Sequence, residues 1–172
     1  IQILIQALHQ NQLPLPNTNF VFLGTGDPEL EKQLHQAAES KPNVSIHTIY
    51  DEDLAIKIYG ASDLMLIPSK YEPCGLVQMI AMRYGGLPVA RKTGGLADTI
   101  IDGVDGFLFN EYTVEDMINV IQRAVGIMTN ETAKNRIIEA AMRKDFSWDL
   151  PAQEYRQLYQ KLILDQSLTE TP

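Results

Sequence analysis

Pro68-Ser69-Lys70-Tyr71-Glu72-Pro73-Cys74-Gly75-Leu76, and after one apolar helix Leu87-Pro88-Val89-Ala90-Arg91-Lys92-Thr93-Gly94-Gly95-Leu96-Ala97-Asp98, decide how this chain folds. Leu64-Met65-Leu66-Ile67 runs into the first half. Four apolar residues with one β-branched member predict a short strand buried on both faces. Pro68 and Pro73 stop regular structure around a polar excursion. Gly75 to Tyr84 then reads as a helix, with Leu76, Ile80 and Tyr84 along one face. Pro88-Val89-Ala90 is a second short strand, ending in the loop Arg91–Gly95. Two such loops at the carboxyl ends of neighbouring parallel strands form the crevice in which open α/β sheets bind ligands.

Outward from this centre the pattern repeats. Upstream, a helix spans about Ile1 to Gln10, with Ile1, Leu4, Ile5 and Leu8 at helical spacing, and Pro14 and Pro16 end it. Phe20–Leu23 is a buried strand, Glu29 to about Ser40 a helix with Leu30, Leu34, Ala37 and Ala38 inward. Val44–Ile49 is a strand and Asp51–Tyr59 a helix. Downstream, Ala97–Ile101 is a short helical turn, Gly103 and Gly106 flank a turn, and Phe107–Phe109 is a short edge strand. Thr113 caps a helix bearing Val114, Met117, Ile118, Ile121 and Val125 on one face. Helices over about Glu131–Arg143 and from Trp148 onward follow. The last carries Trp148, Ala152, Tyr155, Tyr159 and Leu162 at helical spacing and frays after Asp165. Strand and helix alternate through the first hundred residues, which predicts right-handed βαβ crossovers and a mostly parallel sheet in an α/β fold.

Composition narrows the function. The 172 residues allow one domain with a real core, 1–172. A net charge of -8 argues against a nucleic-acid surface and against binding anionic lipid. One cysteine leaves no internal disulfide and fits a reducing compartment. No apolar run approaches a membrane span, and no signal-peptide pattern is present.

Candidate chemistry gathers on the two central loops. Lys70, Arg91 and Lys92 put three positive charges there in an acidic protein, beside Thr93-Gly94-Gly95, where glycine permits close approach of an anion. The alternative is a solvated charge cluster. Glu72 is either an acid favouring the helix dipole or a carboxylate for sugar hydroxyls or a cationic transition state. Glu72, Cys74 and Gly75 stand at the helix entry, where free backbone N–H groups emerge. A nucleophilic Cys74 lacks a histidine nearby in sequence, since His9, His35 and His47 lie far upstream, so a small pocket-wall role is preferred. Those histidines have no metal-ligand spacing, and the reading calls for no metal and no cofactor. Gly24-Thr25-Gly26 lacks the third glycine of a dinucleotide fingerprint and reads as a tight strand-to-helix turn. Tyr50, at a strand's carboxyl end, is either core or a stacking platform for a base.

Together these residues carry a specific resemblance. Pro68–Leu76 resembles the P-S-R-F-E-P-C-G-L motif of bacterial glycogen synthases and plant starch synthases. Ala81-Met82-Arg83-Tyr84-Gly85, Thr93–Thr99, Leu23–Pro28 and Asp145-Phe146-Ser147-Trp148 are also similar to that family, in the same order. Lys70 and Tyr71 replace the commoner Arg and Phe, keeping charge and aromaticity. Ile80 stands where other retaining GT-B enzymes carry the second Glu of Glu-x7-Glu, which suits the glycogen and starch synthase branch.

The resemblance implies a Rossmann-like, nucleotide-sugar-binding C-terminal half of a GT-B glycosyltransferase. Its implied reaction moves glucose from ADP-glucose, or UDP-glucose, to the non-reducing end of an α-1,4-glucan with retention. By the same resemblance Glu72 sits beside the donor glucose, and backbone amides at Cys74, Gly75 and Leu76 bind its hydroxyls. Thr93, Gly94 and Gly95 lie by the diphosphate and Tyr50 near the adenine. The setting implied is bacterial cytoplasm or plastid stroma. Competing readings are another retaining GT-B transferase with a different acceptor, and a non-catalytic glucan-binding module.

The pattern already starts inside a helix at Ile1, so a preceding strand and turn are expected in a longer parent; the resemblance implies that this piece carries an Arg and a Lys in an R-L-x-x-Q-K-G pattern and that an N-terminal domain belongs to the same protein. Strands Phe20–Leu23 and Leu64–Ile67 are then expected to lose a shared neighbour in the usual 3-2-1-4-5-6 order, leaving a sheet incomplete or closed over. The terminal helix, 147–165, is expected to face that domain with an incompletely buried aromatic side, and the chain alone to be inactive.

Overall fold

A computed structural model describes residues 1–13 and 15–169, with side chains through residue 164 except that of residue 14. The elements in order are α1 (Gln2–His9), β1 (Phe20–Leu23), α2 (Pro28–Ala38), β2 (Val44–His47), α3 (Glu52–Ala61), β3 (Leu64–Ile67), α4 (Val77–Tyr84), β4 (Leu87–Arg91), α5 (Gly94–Thr99), β5 (Phe107–Phe109), α6 (Val114–Met128), α7 (Glu131–Arg143) and α8 (Asp149–Thr169). All strand pairs are parallel, as the βαβ alternation requires. Helix α1 ends at His9, ahead of the prolines, and Pro14 lies outside the described residues.

The strands form two sheets, β1-β2 and β3-β4-β5. Phe20 pairs with Val44, and Leu64 with Leu87, but β1 and β3 have no ladder between them. The sheet is therefore interrupted between β1 and β3 and has not closed over the gap. This corrects the expectation that Phe20–Leu23 and Leu64–Ile67 are fully buried. Val21 is 52% exposed and Leu64, Met65 and Leu66 are half-buried, because one edge of each strand faces the gap.

The dense core lies at the second sheet. Leu87, Val89, Ala90, Phe107 and Phe109 of β4 and β5 are buried against Met82 of α4, Leu96 of α5, and Met117 and Ala124 of α6. Pro88 sits in the central strand β4 without cost. The Leu87 N–H bonds to Asp63 O on the β3 side (2.9 Å), so position 88 faces β5, whose pairing begins only at Val89. Thr113 caps α6 through the Asp116 N–H at 3.2 Å, and Asp27 caps α2 through the N–H groups of Glu29 and Leu30. Residues 24–27 join β1 to α2 as an irregular linker without the expected tight turn, and the Gly26 N–H is held by Glu31 Oε1 at 2.7 Å.

Three local expectations change. Helix α4 begins at Val77, not Gly75, and buries Gln78, Ala81 and Met82, while Leu76, Ile80 and Tyr84 are exposed. Ala81, fully buried, lets the helix lie close on β3 and β4, and that contact fixes the inward face. The short helix after β4 is Gly94–Thr99 rather than Ala97–Ile101, so it starts three residues earlier and Thr93 stands at its head. The final helix keeps its backbone helical to Thr169, past Asp165; Pro151 falls in its first turn, where no helix bond is lost, and no Gly or Pro follows it within the helix. Trp148, just ahead of it, and its Tyr155 and Tyr159 are exposed, Trp148 at 73%. Among the described residues no helix is long and apolar enough to cross a membrane.

Candidate functional site

Strands β3 and β4 are neighbours in register, Ile67 beside Ala90, so the loops that follow them emerge side by side. They interlock through the backbone. The N–H of Gly95 donates to the carbonyl of Glu72 at 3.0 Å. A Cβ on Gly94, where φ is +44°, would stand 2.1 Å from that same carbonyl oxygen, and one on Gly95 would stand 2.3 Å from Cys74 O. The two glycines thus admit a protein backbone, that of Glu72–Cys74, on their open side.

Gln78 adds a second tie. It is fully buried, and its Nε2 donates to Cys74 O (3.1 Å), Gly75 O (3.0 Å) and Thr99 Oγ1 (3.2 Å). Thr99 in turn donates to Gly95 O at 2.5 Å. One side chain of α4 therefore holds its own loop against α5. Sequence reading missed Gln78. Its signal was a polar residue three and four positions before Ala81 and Met82, on the side that packs inward.

Glu72 is half-buried and accepts a long hydrogen bond from Ser69 Oγ at 3.4 Å. Its carboxylate makes no ion pair among the described residues. Leu76 occupies the cap position of α4 without any side-chain hydrogen bond, so the first-turn N–H groups have no side-chain acceptor. Cys74 is exposed and free, and its thiol reaches only Gly75 O, at 3.8 Å. Thr93 leads into α5 in an extended conformation, also without a side-chain cap bond.

The three cations play different parts. Arg91 Nη1 donates to Lys70 O and its guanidinium lies 5.7 Å from the Tyr112 ring centroid. It braces the first loop from beneath. Lys70 and Lys92 are exposed; the Asp102 carboxyl is held below its ordinary range foremost by Arg123, and Lys92 adds only a minor share. The positive charge free to meet a ligand is therefore that of the two lysines.

Tyr50 stands apart from this network. It is 82% exposed, and its hydroxyl donates to Glu52 Oε1 at 2.5 Å, which pushes the phenol pKa up. No group of three metal-ligating side chains exists among the described residues. Behind the site, the buried Asp105 pairs with Lys144 at 2.6 Å, and Lys144 also donates to Thr99 O at 2.7 Å. This ties the end of α7 to α5.

The chain is similar to known glycosyltransferases. It is 45% identical over 146 residues to a glycogen synthase of Thermodesulfovibrio yellowstonii, covering 84% of this chain and 29% of that protein. A glycogen synthase of Geotalea daltonii is 47% identical over 151 residues, covering 84% and 31%. The catalytic domain of starch synthase IV from Arabidopsis thaliana, bound to ADP and acarbose, superposes with a TM-score of 0.81 at 35% identity, over 93% of this chain and 35% of that one. Anabaena HepE in complex with UDP-glucose has a TM-score of 0.67 at 26% identity, over 82% and 38%. The chain thus spans about a third or less of the curated relatives it matches. Residues 1–144 match the sequence profile of the glycosyl transferases group 1, and with most of its length so matched the chain belongs to that family.

Proposed function

We propose that this chain is the donor-binding half of a retaining glucosyltransferase that moves glucose from ADP-glucose, or UDP-glucose, to the non-reducing end of an α-1,4-glucan. One observation supports the reading: the Gly95–Glu72 backbone bond joins the loop of a carboxylate without an ion pair and an uncapped helix start to the lysine-bearing glycine loop. Each part has a task there. Glu72 lies beside the donor glucose and stabilises the positive charge that grows on the sugar as the bond to the diphosphate breaks. The N–H groups at Cys74, Gly75 and Leu76 donate to glucose hydroxyls. Thr93, Gly94 and Gly95 lie along the diphosphate, and Lys70 offsets its charge. Tyr50, exposed on its own loop, stacks on the base.

The exposed aromatic side of α8 packs toward a second domain that supplies the acceptor site, and the chain by itself does not transfer glucose. A reducing setting, bacterial cytoplasm or plastid stroma, suits the exposed Cys74 thiol.

Two titrations followed by amide chemical shifts test the reading, one with ADP and UDP in parallel, one with maltooligosaccharide. The expected result is nucleotide-induced shifts at residues 70–76 and 91–95. Shifts caused by the glucan alone, with the nucleotides inert, would make this a glucan-binding module instead. In a full-length parent enzyme, Glu72→Ala is expected to lower kcat by about two orders of magnitude; a near-normal rate would remove Glu72 from the mechanism.

A further inference from the structure

Gln78 is fully buried, yet its amide oxygen is unused. Nε2 shares its two hydrogens among Cys74 O at 3.1 Å, Gly75 O at 3.0 Å and Thr99 Oγ1 at 3.2 Å, while Oε1 has no partner among the described residues. The acceptors fix which way the amide faces. Two are carbonyls, and Thr99 Oγ1 gives its own hydrogen to Gly95 O at 2.5 Å, so only the nitrogen end of Gln78 suits all three. A bare buried acceptor lowers stability. What the side chain supplies in return is geometry.

A trans peptide is planar, so its C=O and N–H point in opposite directions. Cys74 O shares a peptide with the Gly75 N–H, and Gly75 O with the Leu76 N–H. Drawing both carbonyls toward the buried amide therefore turns both N–H bonds away from it, to the side of the loop where Cys74 and Leu76 are exposed. No acceptor among the described residues takes either N–H. Gly75 is left-handed at φ +74°, and Leu76 right-handed at φ -111° and ψ -20°. Such an alternation of hand presents successive N–H groups to one electronegative atom. A Cβ on Gly75 would stand 2.8 Å from Gln78 Oε1 and 3.1 Å from Glu72 Cγ. The Glu72 side chain thus rests on the same glycine that Gln78 orients.

We propose that Gln78 is a positioning residue for the donor sugar. Through the Cys74 and Gly75 carbonyls it aims the N–H groups of Gly75 and Leu76 at sugar hydroxyl oxygens, and it makes no contact with the ligand itself. The proposal deepens the donor-binding reading and rests on it. The effect is local to the sugar end of the site. The Gly95 N–H bonds to Glu72 O, and Gly95 O is held by Thr99 within α5, so the glycine loop keeps its own ties when Gln78 is lost.

Residual dipolar couplings of the Gly75 and Leu76 N–H bonds in the ligand-free chain read the aim directly. Chemical-shift titrations with ADP-glucose against ADP, and UDP-glucose against UDP, read its consequence. In Gln78→Leu both N–H bonds are expected to turn, and the nucleotide sugar to lose about 10-fold more affinity than its nucleotide. Gln78→Asn, which retracts the same amide by one methylene, is expected to do likewise and serves where the leucine variant does not fold. Val120→Ala, a core truncation in α6, lowers stability away from the loop and is expected to change neither readout. Wild-type couplings in a folded Gln78 variant would overturn the proposal. So would equal losses for nucleotide sugar and nucleotide, or the same changes in Val120→Ala. If the couplings turn but the wild-type chain holds nucleotide sugar no more tightly than nucleotide, the aiming by Gln78 stands and the donor-sugar reading falls.

Discussion

Gly95 donates its N–H to the carbonyl of Glu72 at 3.0 Å, and the neighbouring Gly94 has no room for a Cβ against the same oxygen. Two loops that are 23 residues apart in the chain thereby act as one surface. Gly94→Ala places a methyl group into that oxygen at positive φ, and the loops must separate. The expected cost is about 1–3 kcal/mol in urea unfolding, the range for overpacking. Nucleotide binding is expected to fall further than stability does. Wild-type affinity in a variant that unfolds at the wild-type urea midpoint would show that the loops are free to part.

Gln78 shares its two amide hydrogens among three acceptors from a fully buried position. Gln78→Leu keeps the volume and strands two carbonyls and a hydroxyl. A loss of about 1–3 kcal/mol is expected. Gln78→Glu, which offers an acceptor to three acceptors, is expected to be worse above pH 6 and to recover partly as the carboxyl protonates. Urea midpoints measured at two pH values separate the cases, and a Leu variant as stable as wild type would deny the side chain this role.

Lys144 and Asp105 form the least exposed ion pair among the described residues, with side chains 22% and 5% exposed. Asp105 also accepts the Ile101 N–H at 2.7 Å. Lys144→Met alone leaves a buried carboxylate without its cation and is expected to cost about 3–5 kcal/mol. The double variant Lys144→Met, Asp105→Leu is expected to recover part of that. Thermal unfolding of the four proteins of the cycle provides the comparison. Additive losses would mean the two side chains are not coupled.

Asp102 accepts two hydrogen bonds from Arg123 and one from the Leu108 N–H, and the Arg123 contact foremost pulls its pKa below the ordinary carboxylate value. A carboxylate whose folded pKa is depressed contributes stability above its unfolded pKa. That contribution fades as pH falls toward the folded value. Asp102→Asn is therefore expected to destabilise at pH 7, and the difference from wild type to shrink below pH 4. Both side chains are 42% exposed, so the magnitude is about 1 kcal/mol or less. A pH-independent difference would assign the effect to packing of the turn.

Local chemistry made much of this protein legible in its sequence. Alternating apolar runs and polar loops determined a parallel α/β fold, since hydrophobic period and βαβ handedness operate over a few residues. Thr113 with Asp116 placed the start of α6 for the same reason. The two crevice loops followed from their places at the ends of adjacent strands. Even the separation of β1 from β3 could be expected from strand order, although not whether the gap would close. Tertiary structure alone decided the rest. It turned Gln78 inward and Ile80 outward, because the close seat of Ala81 on the sheet fixes the rotation of α4. It made Arg91 a brace for the Lys70 loop, because one guanidinium nitrogen donates to the Lys70 carbonyl and the group lies over the Tyr112 ring. It gave Gly94 and Gly95 a backbone as their near neighbour. These are contacts between groups far apart along the chain, and a one-dimensional pattern does not specify which backbone comes to rest against which.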